Sequence, residues 1–207
     1  MTILKAELIA VVNNALNRKY SGTQLDTKIT SVLKDLSGLG NFLQDEFVRQ
    51  TIINRDYYSL PDNLKDLLFV GMKSSDSSTI YKPLVYERFE MYQRNIYYSS
   101  TPGTPTRYTW QSGYMYPRPI PDAEYVMYLW YSYIHPETVD EDKACDNILF
   151  TDIYRKAIEM GLCYEVALGL TLDSDVQKFK ALYFEQVSIR KANLKEHAKI
   201  ACYRNGF

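Results

Sequence analysis

The chain has 207 residues with 24 Lys and Arg against 25 Asp and Glu, a formal net charge of −1, and 46% hydrophobic residues. That length suits one compact domain, or a domain with one large insertion, and supports a buried core. The charge balance excludes coating of nucleic acid by phosphate neutralisation over the whole surface, though it leaves room for a local basic patch.

The opening segment places Leu4, Leu8, Ile9, Val12, Ala15 and Leu16 at helical spacing, predicting a helix over about 3–19 that ends in polar NRKYSG. Ser21 followed by Gln24 has the spacing of a capping box, and Ile29, Val32, Leu33, Leu36 and Leu39 then mark one face of a second helix stopped near Gly38 and Gly40. This helical hairpin, residues 1–45, must bury its stripes against something further along the chain.

A β-rich insertion is expected over 46–137, because all eight prolines, from Pro61 to Pro136, fall inside it. FVRQTIINRDYYSLP predicts one or two strands and LLFVGM another, SSDSST an exposed loop, and VYERFEMYQRN either a short helix or a strand. RYTWQSGYMYP reads as a hairpin about Gln111, Ser112 and Gly113. In the following PRPIPDAEYVMYLWYSY, alternation puts Tyr125, Met127, Leu129, Tyr131 and Tyr133 on one face and Val126, Tyr128 and Trp130 on the other. Neither face is built for water, whereas a half-exposed antiparallel strand usually alternates apolar with polar.

Residues 138–207 return to helix. Ile148, Leu149, Ile153, Ala157, Ile158, Gly161, Leu162, Val166 and Leu170 predict one long, broadly apolar helix from about Asp146 to 171. After a break at Thr171 to Ser174, with Asp173 or Ser174 as cap, Val176, Phe179, Leu182, Tyr183, Val187 and Leu194 form the stripe of a last helix. Beyond residue 188 five basic residues, Arg190, Lys191, Lys195, Lys199 and Arg204, stand against one Glu196. Such a run is either a solvated helix face or an arm that docks on a partner or faces DNA. The fold class expected is α+β: an α-helical bundle from the N- and C-terminal flanks with an inserted small antiparallel β sheet or barrel module.

Residue chemistry points away from catalysis. His135 and His197 occupy no zinc-binding spacing, and phosphate-cradle and nucleophile-elbow patterns do not occur. Cys145, Cys163 and Cys202 are odd in number and far apart, so no disulfide framework, metal site or cofactor is expected. Glu87 with Glu90, and Asp140 to Asp142, are pairs of the kind that charged surfaces supply everywhere. No apolar run approaches the roughly 18 residues of a membrane span, and MTILKAELIAVVNN lacks a small-residue cleavage site, so folding in a cytoplasm without membrane contact is expected.

Binding is better supported. Twelve of the 19 tyrosines lie between Tyr81 and Tyr133, and a ring with a polar tip suits surfaces that are wet at one stage and buried at another. Tyr114, Tyr116, Tyr128 and Trp130, together with Arg190, Lys191, Lys195, Lys199 and Arg204, are the candidate subunit or partner interface. The alternative is a glycan-binding module that uses the tyrosine-rich sheet.

The order of motifs carries a further signal. A helical hairpin, then YYSLPDNLKDLLFV, PGTPTRYTW, PRPIPDAEYVMYLWYSYIHPE, an acidic stretch and NILFTDIYRKAIEMGLCYEVALGL before a long charged helix resembles the head-tail adaptor (connector) proteins of tailed bacteriophages. The resemblance spans essentially the whole chain and is clearest over 57–170. It implies a structural virion protein at the head-tail interface, a ring of typically twelve copies under the portal protein. Such a ring extends the channel, DNA passing through it without sequence-specific binding, and gives tail proteins a docking surface. It carries no catalytic, metal or cofactor residues. A ring subunit makes heterologous contacts until the rotation closes, which gives otherwise excessive apolar faces a place to be buried.

Overall fold

A computed structural model describes the backbone at residues 3–74, 81–95, 101–136, 139–140, 143–144 and 148–204, and side chains at the same residues except 95, 139–140, 143–144 and 195–204. Residues 75–79 of the SSDSST segment, Asp146 and the side chains of two of the three cysteines lie outside the described set. The fold is α+β, with helices in both flanks and two small sheets between them. The chain divides into two compact units, Met1–Leu43 with Ile134–Phe207, and Gln44–Tyr133.

In the helical unit, α1 (Lys5–Ala15) ends earlier than its apolar spacing suggests. Asn17 takes a left-handed φ of 49°, and the Arg18 N–H returns to the Asn13 carbonyl at 3.1 Å, a Schellman closure that asparagine tolerates better than most residues. Helix α2 (Gly22–Leu39) follows Ser21, whose backbone N–H donates to Gln24 Oε1 at 3.0 Å. It runs through Gly38 and stops at Gly40. Leu25, Ile29, Val32, Leu33 and Leu36 are its buried face, packed with α1 and α4 (Arg155–Gly169), and α4 packs in turn against α5 (Asp173–Arg204), where Phe179, Tyr183 and Val187 are buried. Lys28 reaches across from α2, its Nζ donating to the Glu165 carbonyl at 2.8 Å, which sets a cation at the negative end of α4. Thr171, with φ 55°, turns the chain into α5, whose first turn contains Asp173 and Asp175 where the helix dipole favours anions; Asp173 is thus inside the helix rather than its cap.

The long helix expected from about Asp146 is shorter. Residues 148–151 are irregular, Asp152–Tyr154 form one 3-10 turn, and α4 starts at Arg155. The cause is His135. Its Nε2 accepts the Leu149 N–H at 3.2 Å, its ring stacks on Phe150 at 5.9 Å, and its Nδ1 lies 2.7 Å from the Pro136 carbonyl. A carbonyl only accepts and an amide only donates, so this geometry requires the neutral imidazole with its proton on Nδ1. The backbone that would have continued the helix is committed elsewhere.

Burial lowers the pKa of His135 from its ordinary value. Protonation on Nε2 also removes the acceptor for Leu149. Because the folded-state pKa lies below the unfolded one, His135 contributes its full share of stability above about pH 6.5 and loses it as pH falls from there toward the folded pKa. The urea midpoint of the native chain should therefore fall between pH 7 and 5 more than that of His135→Gln. Identical falls would remove His135 as the cause.

In the second unit, one four-stranded sheet has the order β1–β8–β3–β4 and the other β2–β7–β6–β5. The strands are β1 (Gln44–Gln50), β2 (Tyr58–Ser59), β3 (Leu64–Ser74), β4 (Lys82–Pro83), β5 (Val85–Tyr86), β6 (Arg107–Gln111), β7 (Tyr114–Arg118) and β8 (Tyr125–Tyr133). A two-residue ribbon, β9 (Val139–Asp140) with β10 (Lys143–Ala144), belongs to the helical unit. All pairings in the two larger sheets are antiparallel except β5 with β6. A parallel pair needs a crossover connection, and the chain between these strands includes α3 (Phe89–Asn95). The ambiguous VYERFEMYQRN thus divides into a two-residue strand and a helix. The β6–β7 hairpin turns at Ser112 and Gly113, with φ 51° and 80°, the paired positive values that match the twist of the flanking strands.

The two sheets share one core. Tyr125, Met127 and Leu129 of β8 meet Val70 and Met72 of β3, Tyr108 of β6, Met115 of β7 and Tyr58 of β2. Three residues of the odd-numbered face of β8 are thereby accounted for; Tyr131 is buried outside this core and Tyr133 is half-buried, their ring centroids 6.2 Å apart.

Candidate assembly surfaces

The even-numbered face of β8 looks out of the β1–β8–β3–β4 sheet. Register places Trp130 between Glu46 and Phe69, and Tyr128 between Val48 and Gly71. Tyr128 is half-buried between two rings, Phe69 at 6.0 Å and Tyr81 at 5.0 Å between centroids. Gly71 makes this possible, since a Cβ there would stand 2.7 Å from the Phe69 ring and 3.0 Å from Tyr81 Cβ. Burial, and then the hydrogen bond to the Glu46 carboxylate, push the Tyr128 phenol up to about 12. It is a fixed donor at neutral pH. Lys73 Nζ lies 4.8 Å from the Tyr81 centroid and extends the same surface.

Beyond these rings the cover ends. Trp130 is 44% exposed and Val48 55% exposed, and as diagonal neighbours on adjacent strands they form one apolar patch. So the even-numbered face of β8 is half covered inside its own unit, by Phe69 and Tyr81, and half open.

A second apolar feature is the loop between β1 and β2, where Ile52 and Ile53 are each 51% exposed. The loop is not loose. Thr51 exchanges hydrogen bonds with Tyr125, its N–H donating to the Tyr125 carbonyl and its Oγ1 accepting the Tyr125 N–H, both at 2.8 Å. The Asn54 N–H donates to the Pro121 carbonyl at 2.9 Å. From below, the fully buried Tyr58 hydroxyl accepts the Ile52 N–H at 2.9 Å and donates to the Ile52 carbonyl at 3.1 Å. Arg55 lies over the rings of both Tyr57 and Tyr58, at 5.4 and 5.6 Å from their centroids. Two isoleucines are presented to solvent on a pinned frame. Tyr58→Phe keeps the ring and removes the pin, so it should cost about 1–2 kcal/mol and accelerate exchange of the Ile52 amide. Unchanged exchange would show that the remaining bonds hold the loop.

The tyrosines of β7 separate. Tyr114 is exposed and meets Tyr57 edge-on at 5.6 Å, whereas Tyr116 is half-buried beneath α3, 6.1 Å from Phe89 and 5.8 Å from Tyr92. Arg118, next on that face, stacks over Tyr92 at 4.5 Å. In the helical unit, Arg190 is half-buried and its charge acts on Tyr154, while Lys191 is exposed. Lys195, Lys199 and Arg204 lie on α5 with side chains outside the described set.

The nine candidate residues are therefore distributed over three faces: the outer face of one sheet (Tyr128, Trp130), the α3-covered face of the other (Tyr114, Tyr116), and α5. Sequence reading did not select Val48, Ile52, Ile53, Phe69 or Tyr81. Val48 had a signal, since it is the apolar member of the face Glu46, Val48 and Gln50; the isoleucines had none, because adjacent apolar residues read as strand interior.

Among the described residues no group of three or more His, Cys, Asp and Glu is placed to hold a metal ion, and no described helix is long and apolar enough to cross a membrane. No curated protein matches the chain. A family model does: the model described as SU10 adaptor protein matches residues 1–198.

Proposed function

The chain belongs to the SU10 adaptor protein family, structural adaptor proteins of bacteriophages, and from that premise we propose that it forms a ring at the head-tail interface of the virion. The observation that carries the reading is the open apolar patch of Val48 and Trp130 on the outer face of the β1–β8–β3–β4 sheet. A ring subunit needs two unlike surfaces that meet in successive copies, and an exposed tryptophan beside an aliphatic residue is the composition favoured at the centre of such contacts. The reading extends to a ring of twelve copies bound below the portal protein, continuing the DNA channel, with the Ile52–Ile53 loop or the basic end of α5 meeting portal or tail proteins. The protein acts by contact and not by catalysis.

Support for the glycan-binding alternative is narrower. It requires a platform of neighbouring exposed rings, and with Tyr116 beneath α3 that face retains Tyr114 and Tyr57.

Mixing the purified chain with portal rings and examining the products by electron microscopy and mass photometry tests the proposal. Ring-shaped assemblies stacked on portal are expected. Free monomer beside unoccupied portal, at micromolar concentrations of both, would overturn it.

A further inference from the structure

At one end of the β unit a cavity of about 260 Å³ opens between the β2–β3 turn and the tip of the β6–β7 hairpin. Its lining is more polar than apolar, with Asp62, Ser112 and Gly113 beside the apolar edges of Leu60, Pro61, Leu64 and Trp110. We propose that this pocket receives a single arginine side chain from a partner protein.

The first argument is size. Pockets for small-molecule ligands usually run from about 300 to 1,000 Å³, and this one falls just below that range, which suits one long side chain better than an oligosaccharide. The second is rigidity. The Leu60 N–H donates to the Gly113 carbonyl at 2.8 Å and ties the two turns together, while the Leu64 N–H closes the PDN turn on the Pro61 carbonyl at 3.1 Å. The positive φ values of Ser112 and Gly113 set the hairpin tip. A pocket held on both sides keeps its shape when empty, so little ordering cost falls on the ligand.

The third argument is charge. Asp62 is exposed at the rim, and no ion pair joins it to a basic group among the described residues. Lys65, nearby in sequence, is paired with Asp66 at 4.0 Å. A lone carboxylate beside an indole and two leucines complements a cation with an apolar stem. Arginine fits these walls better than lysine, because its planar guanidinium both pairs with carboxylate and lies flat on an aromatic face. The inference rests on reading the chain as an assembly component, since that reading makes the occupant a protein side chain.

The chain contains two tryptophans, so in the full-length Trp130→Phe protein the indole emission reports Trp110 alone. Titration with N-acetylarginine methylamide should change that emission saturably. N-acetyllysine methylamide should bind more weakly, and Asp62→Asn, a turn substitution whose folding circular dichroism verifies, should weaken arginine binding roughly tenfold. Equal binding to Asp62→Asn, saturation by glucose but not by the arginine probe, or no saturation by about 100 mM would each overturn the proposal. The titration uses the isolated chain, so its failure is separate from failure to assemble on portal.

Discussion

Valine at position 161 should unfold the helical unit at markedly lower urea concentration, with a loss of roughly 2–4 kcal/mol. Gly161 is the point where α4 is approached by two helices at once. A Cβ there would stand 2.8 Å from Val32 Cγ1 on α2 and 3.0 Å from Tyr183 Cε2 on α5. Both neighbours are buried and neither yields easily: Val32 is β-branched and stiff, and Tyr183 sits with its hydroxyl in the packed interior. Alanine separates the competing terms. It gains about 1 kcal/mol of helix propensity over glycine, but its methyl group meets the same two contacts, so the net effect should still be destabilising and smaller than that of valine. The far-UV helical signal against urea is the measurement. An alanine variant more stable than the native chain would show that α2 and α5 can move apart without cost.

Lysine at position 130 should leave the isolated chain folded and prevent its assembly. Trp130 is 44% exposed at the open patch, and the aliphatic stem of lysine keeps part of the intrachain contact its ring makes, so the chain should still fold at a cost of about 1 kcal/mol. Lysine is the informative choice because Glu46 lies directly opposite on β1, where a carboxylate would repel and a cation does not. A tryptophan buried at the centre of a contact commonly accounts for about 2 kcal/mol or more, and in a closed ring the loss recurs at every interface. Mass photometry with portal should then give monomer for Trp130→Lys, with Trp130→Phe retaining partial assembly. Normal rings from both Trp130→Lys and Val48→Lys would exclude this face as the ring contact.

Local order in the chain was legible from local chemistry. Ser21 with Gln24, the helical stripe of α2, the Ser112–Gly113 hairpin and the alternation of β8 all arise from interactions within a few residues, and each is seen at or near its expected place. The two misread helix ends have nonlocal or conformational causes. Asn17 stops α1 by adopting a left-handed conformation that composition does not announce, and residues 148–151 are held out of α4 by a histidine 14 positions from Leu149. The family resemblance was carried by the order of motifs along the chain, which a linear reading preserves.

The candidate surfaces divide along the same line. The sequence by itself determined that β8 has two apolar faces, because side chains alternate on any strand, and that the basic residues accumulate beyond 188, because counting suffices. Tertiary structure alone decided which of those residues are covered. Tyr116 lies under α3 and Tyr128 is flanked by Phe69 and Tyr81, while Trp130 and Val48 stay open. Exposure depends on strand order and on which side chains cross over a neighbouring strand. Gly71, where the absence of a Cβ admits two rings beside Tyr128, is the clearest case: nothing in the local sequence states what that space is for.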